Sequence, residues 1–253
     1  MKAIVARLKP RLRKVPGFRA AKFIYHLARS MESRNYTLLS LRPPKGLYQP
    51  YIKTSRDRYP EIFRQVREVV GDGADVRILS FGCSTGEEVF SLRKYFQLAT
   101  IIGLDINPHN ILVCRFRKLW NRDARLRFAV AGLTAGEENA SYDAIFAMAV
   151  FRHGDLNVSP PPPMCDDRIR FVDFEQSVAD LARTLKPGGL LVIQHAMFRF
   201  ADTRVAGEFE TVLRQKIDKS EPLYGRDDCI LPGAEYSDVV FRKIGRAKNA
   251  GLA

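Results

Sequence analysis

Residues 78–92 read ILSFGCSTGEEVFSL: an apolar run, two glycines with two hydroxyls between them, and then paired glutamates ahead of a second apolar stretch. The first run has the length and composition of a buried strand. Gly82 and Gly86 permit a tight turn and let a ligand approach the backbone without meeting a Cβ. Glu87 and Glu88 follow where a helix should begin, at the positive end of its dipole. Strand, glycine turn and helix in that order are the opening unit of a doubly wound α/β sheet. Ligands of such sheets sit outside the carboxyl ends of the strands, where the strand order reverses.

The same alternation extends in both directions. YPEIFRQVREVVG, from residue 59, places Ile62, Phe63, Val66, Val69 and Val70 at helical spacing and stops at Gly71. After the quoted stretch the pattern predicts a helix from Glu87 to about Phe96, a strand TIIGLDI from 100, a helix from about Pro108 to Trp120 and a short strand RLRFAVA from 125. A strand YDAIFAMAV from 142, a helix FEQSVADLARTLKPGG from 174 and a strand GLLVIQHA from 189 complete the run. Strands that are apolar nearly throughout belong to a mostly parallel sheet covered on both faces. Beyond it, MFRFADTRVAGEFETVLRQKI suggests a helix from about 203, and CILPGAEYSDVVFRKIG two strands around Pro232 and Gly233.

Charge divides the chain in a different way. Residues 1–70 hold 17 Lys and Arg against 4 Asp and Glu, and the remainder is balanced, so the first segment carries the whole net charge of +13. Residues 1–58 are therefore expected to be a basic, largely helical arm and connector, and 59–253 the sheet domain. Within the arm Ala20, Phe23, Ile24, Leu27 and Met31 share one helical face. This is either a solvated amphipathic appendage or a surface, within residues 1–50, for an anionic partner such as acidic lipid or nucleic acid. No run of eighteen apolar residues exists, and the four cysteines form no C-x-x-C pair. A reduced, cytoplasmic setting, peripheral at a membrane surface if the arm binds lipid, is the simplest expectation, and no metal site is proposed.

The turn at 82–86 suits a nucleoside-type ligand, since Asp105 ends the second strand where a carboxylate can accept the hydroxyls of a ribose. A dinucleotide would put its pyrophosphate on the helix N-terminus, which its fingerprint keeps free of negative charge. Here the spacing is Gly82, Ser84, Gly86, followed by two glutamates. They would repel a diphosphate and suit a cofactor carrying an ammonium and a sulfonium, as S-adenosylmethionine does. A dehydrogenase is disfavoured on the same ground.

ILSFGCSTGEE, GLDINPHNI, YDAIFAMAVFRH and LARTLKPGGLLVI together resemble the motifs of class I S-adenosylmethionine-dependent methyltransferases, over roughly residues 60–200. Within that family GCSTGEE is most similar to the chemotaxis receptor glutamate methyltransferases, although the chain leaves no clear room for their inserted β-subdomain. The resemblance implies a Rossmann-like, seven-stranded fold. It implies Ser80, Gly82, Ser84 and Gly86 along the methionine part, Glu87 near the amino group, Asp105 on the ribose and Ile106 on the adenine; a plain helix-dipole role remains the alternative for both glutamates and suits Glu88 better. The stretch from Ala149 to Phe151 would face the sulfonium. Ala131 and Gly132 stand where the family commonly offers an acidic residue to the adenine.

Methyl transfer from a sulfonium is an in-line displacement, and positioning in a dry pocket supplies most of its acceleration. A carboxylate acceptor needs no general base; an alcohol or amine does. His153 and His195 are candidates for that base or for hydrogen-bonded walls, and Arg152 for an anionic substrate. RHGDLNVSPPPPMCDDRIR, 152–170, is either a surface loop or a lid. A methyltransferase of unknown acceptor is the expected function. The alternative is a non-catalytic cofactor-binding module acting through the basic arm.

Overall fold

The computed structural model describes residues 55–215 and 221–245, together with 25, 39, 44 and 46–49. The chain separates into two compact units, Met1–Pro43 and Pro44–Ala253. The basic amphipathic helix expected across residues 20–31 lies outside the described residues except for Tyr25.

The second unit carries the sheet. Its elements in chain order are α1 (Pro60–Val70), β1 (Arg77–Phe81), α2 (Glu87–Tyr95), β2 (Thr100–Asp105), α3 (Pro108–Asn121), β3 (Leu126–Val130), β4 (Tyr142–Met148), α4 (Phe171–Thr184), β5 (Leu185–Gln194), β6 (Phe209–Arg214) and β7 (Asp238–Lys243). They form one seven-stranded sheet in the order β3-β2-β1-β4-β5-β7-β6, in which only β7 runs antiparallel to its neighbours. This is a doubly wound, Rossmann-like sheet. The order reverses at β1, so the crevice expected of such folds opens beyond the carboxyl ends of β1 and β4.

Alternate residues of the central strands feed two cores. Ile78, Ile101, Phe146 and Val192 pack with Ile62, Phe63 and Val66 of α1, Val89 and Leu92 of α2, and Ile111 and Cys114 of α3. Leu79, Leu104, Ile145 and Leu191 pack on the opposite face with Phe174, Val178 and Leu181 of α4. Burial on both faces is why these strands read as continuous apolar runs. Tyr48, from the segment before α1, is buried in the second core, and its hydroxyl donates to the Asp173 carbonyl oxygen at 2.6 Å.

The region after β5 departs from the sequence reading. In place of a helix from 203 there are short 3-10 turns at Phe200–Asp202 and Ala206–Glu208, followed by β6. Phe209 is buried, Thr211 and Leu213 are partly buried, and Glu210, Val212 and Arg214 are exposed, which is the period of a strand. The antiparallel closing pair exists, but it is β6 with β7 rather than two strands flanking Pro232 and Gly233. The 152–170 segment is mostly exposed but anchored at a few points. Leu156, Cys165 and Ile169 are buried, and Cys165 N–Asp228 O (3.0 Å) and Ile230 N–Pro163 O (2.8 Å) bonds tie it to the 228–230 segment.

Candidate functional site

The turn after β1 continues the sheet before it departs from it. The amides of Gly82 and Cys83 both donate to the Leu104 carbonyl oxygen, at 2.8 and 2.9 Å. Gly82, Ser84 and Gly86 all adopt positive φ, at 72, 51 and 89°. A Cβ on Gly82 would stand 2.6 Å from Val150 Cγ2, so both backbone conformation and packing require glycine there.

Asp105 anchors this turn from β2. Its carboxylate accepts the amide of Ser84 at 2.7 Å, the amide of Asn107 at 2.8 Å and the side-chain amide of Asn110 at 3.0 Å. Burial raises its pKa, and those three bonds offset part of the rise. With about four lone-pair positions in all, the carboxylate retains room for roughly one further donor. Ser84 Oγ and Asn110 Oδ1 are buried without a hydrogen-bond partner among the described residues, so unused polar capacity surrounds the same carboxylate. Ile106 follows, half-buried. Gly46 closes on the backbone of Gly132, where a Cβ would lie 2.4 Å from the carbonyl oxygen.

The two glutamates at the start of α2 have different partners. Glu87 accepts from Arg117 Nη1 at 2.8 Å and lies 3.4 Å from Arg56 Nε. Arg117 also donates to the Thr85 carbonyl oxygen at 2.6 Å and stacks on Phe90. Glu87 is therefore neutralised on the α3 side. Glu88 has no cationic partner among the described residues; it accepts a 2.7 Å bond from Ser80 Oγ at the end of β1. Burial pushes its pKa up to about 7, against the opposing effect of the Ser80 bond. Glu88 thus keeps a carboxylate without a cation among the described residues, and Glu87 keeps its buried Oε2 without a hydrogen-bond partner among them.

A second group of polar residues lies at the ends of β4 and β5. Ala149 and His195 each adopt left-handed backbone, φ 57 and 55°, and the Ala149 amide donates to the Gln194 carbonyl oxygen at 2.8 Å. Non-glycine residues held in this region persist only where surrounding structure imposes it, and they cluster at functional sites. His195 Nδ1 lies 3.1 Å from Glu221 Oε2, and the Arg152 guanidinium bonds the other oxygen. Burial raises the Glu221 pKa, but hydrogen bonding and charge from His195 and Arg152 outweigh it and hold the group ionised below its ordinary value. Tyr59, just before α1, sets its ring 5.8 Å from that of His195. Burial, with Glu88 and Glu221 nearby, raises its phenol to about 12.

His195, Glu221, Gln194, Leu223, Tyr236 and Asp238 line part of a cavity of about 510 Å3 beyond β5. His153 is not among its lining residues. It is buried and caps the turn Gly154–Leu156, where Nδ1 accepts the Asp155 amide at 3.2 Å, and burial lowers its pKa. The candidate Arg152 pairs with Glu221, and its buried Nε has no hydrogen-bond partner among the described residues. Glu221, Tyr59 and Asn110 join the site without having been singled out in the sequence; Glu221 in particular sits in no motif. Among the described residues no group of three or more His, Cys, Asp or Glu is placed to hold a metal.

Residues 79–193 match the family model of a methyltransferase domain. The chain is 26% identical over 156 residues to trans-aconitate 2-methyltransferase of Deinococcus radiodurans, covering 59% of this chain and 51% of that protein. It is 27% identical over 131 residues to demethylmenaquinone methyltransferase of Thermus thermophilus, covering 51% of each. The chain thus aligns with about half the length of each of these two relatives. Among solved structures, phosphoethanolamine N-methyltransferase 2 of Haemonchus contortus, in complex with S-adenosyl-L-methionine, aligns with 68% of this chain and 35% of its own at 18% identity, with a TM-score of 0.43.

Proposed function

We propose that this chain is an S-adenosylmethionine-dependent methyltransferase that holds its cofactor at the 82–86 turn and its acceptor in the cavity beside His195. The observation that carries the reading is Glu88, a carboxylate held by Ser80 beside a glycine turn at the switch point, with no cation of the described chain to neutralise it. An unneutralised carboxylate there favours a cationic ligand and opposes a diphosphate. Ser84 Oγ, Asn110 Oδ1 and the remaining acceptor position of Asp105 fit a ribose. The match of residues 79–193 to a methyltransferase domain supports the same assignment.

When bound, S-adenosylmethionine supplies a methyl group on a positively charged sulfur. This chain's residues do the rest. Gly82 and Gly86 leave the backbone open to the cofactor, Glu88 faces its ammonium, and Asp105 orders the turn. At the acceptor side Glu221 orients His195 through Nδ1; with the proton on Nδ1, Nε2 is left to take a proton from a hydroxyl or amine. Partly buried Tyr59 and the apolar lining limit water around this pair.

The resemblance of GCSTGEE to receptor glutamate methyltransferases keeps a protein carboxylate among the acceptor classes to assay. The test is turnover: S-adenosylmethionine is incubated with the protein and pools of carboxylate, phenol and amine acceptors, and S-adenosylhomocysteine is measured. Binding without turnover across these pools would favour the non-catalytic alternative. Tight NAD binding and none of S-adenosylmethionine would reject the assignment.

A further inference from the structure

The outer face of α3 is apolar and uncovered. Leu112, Phe116, Leu119 and Trp120 recur at helical spacing opposite buried Ile111 and Cys114, with relative exposures of 49, 64, 72 and 92%. Val130, at the end of the adjacent edge strand β3, is 47% exposed. Isolated exposed apolar residues are ordinary; a contiguous row on one helix is not. The residues between and beside them are cationic. Residues 112–130, LVCRFRKLWNRDARLRFAV, hold six Lys and Arg against one Asp. Asp123 is neutralised by Arg93 at 2.7 Å and Arg117 by Glu87, whereas Lys118, Arg122, Arg125 and Arg127 have no carboxylate partner among the described residues.

We infer that this face of α3 is a docking surface for a lipid bilayer bearing anionic headgroups. A helix lying in a membrane interface combines aromatic and aliphatic side chains on one face with Lys and Arg alongside, and tryptophan favours the headgroup level. The charge selects this occupant over the others. A second copy of the chain docked by a two-fold axis would oppose two cationic patches. Residues 1–43, with 11 Lys and Arg against one Glu, carry charge of the same sign and so lack complementarity to it. A polyanionic nucleic acid would satisfy the arginines but leave Leu112 and Leu119 without an apolar environment.

Trp120 is the single tryptophan of the chain, so its emission reports on this face alone. The full-length protein is mixed with phosphatidylcholine vesicles with and without phosphatidylglycerol, and with polyadenylate. The expected result is a shift of Trp120 emission to shorter wavelength with anionic vesicles only, reversed at high salt, where screening shortens to about 3 Å at 1 M. Phe116→Ser/Leu119→Ser removes the apolar anchor and Lys118→Glu/Arg122→Glu reverses two charges; each should weaken partitioning by about tenfold or more while the thermal melt stays unchanged. Co-sedimentation with vesicles while Trp120 emission is unmoved would assign the attraction to the basic arm and overturn the inference. A shift that grows with protein concentration alone would replace the bilayer with a second copy, and an equal shift with polyadenylate would replace it with nucleic acid. Both results overturn it.

Discussion

Ser80 Oγ, near the carboxyl end of β1, donates to Glu88 Oε1 in the first turn of α2 across 2.7 Å. The strand thereby holds a carboxylate delivered from the following helix, and burial raises that carboxyl to about 7. A folded-state pKa above the unfolded value means the folded protein binds the extra proton. Glu88's contribution to stability is thus complete below the ordinary carboxylate pKa and is lost as pH rises through about 7. Affinity for a cation runs the other way. If only the ionised form binds S-adenosylmethionine, its dissociation constant should be about tenfold larger at pH 6 than at pH 8, with proton release near pH 7. Glu88→Gln should flatten both dependences, read by calorimetry in two buffers and by melts across pH. Unchanged profiles would remove Glu88 from the site.

Asp105→Ala should cost stability as well as affinity, because bonds from the Ser84 and Asn107 amides and the Asn110 side chain end on this buried group. A loss of about 3 kcal/mol in denaturant unfolding is expected, together with weaker cofactor binding. A variant with wild-type stability would mean that the turn does not depend on this carboxylate.

Glu221→Gln tests the pair with His195. If Glu221 orients the imidazole, turnover of a hydroxyl or amine acceptor should fall about a hundredfold while calorimetric affinity for the cofactor is unchanged. His153→Ala, by contrast, removes the cap of the 154–156 turn. It should cost about 1 kcal/mol of stability and leave turnover nearly intact. Equal losses of turnover in the two variants would contradict the division of roles.

Gly82→Ala places a side chain at φ 72° and a Cβ 2.6 Å from Val150 Cγ2. The melt should report at least about 2 kcal/mol of destabilisation. Val150→Ala in the same chain should recover the part owed to the clash and none of the part owed to φ.

The sheet was legible in the sequence because its signals are local. Two-sided burial made β1, β2, β4 and β5 continuous apolar runs, helix periodicity marked α1 to α4, and Gly82 and Gly86 marked a turn that adopts positive φ. Asp105 was also within reach, since the end of β2 next to β1 follows from the winding of the fold. Past β5 the sequence misled: Val205, Phe209 and Leu213 suit a helical face, and pairing with β7 decided for a strand. Nor could it choose between two adjacent glutamates. Neighbouring side chains on a helix point about 100° apart, and their fates depended on what tertiary packing brought to each. Arg117 from α3 and Arg56 came to Glu87, and Ser80 from β1 came to Glu88. Glu221 was the least accessible of all, 26 residues from His195 and 69 from Arg152, for charge pairs across such separations carry no periodicity and exist only once the chain has closed around them.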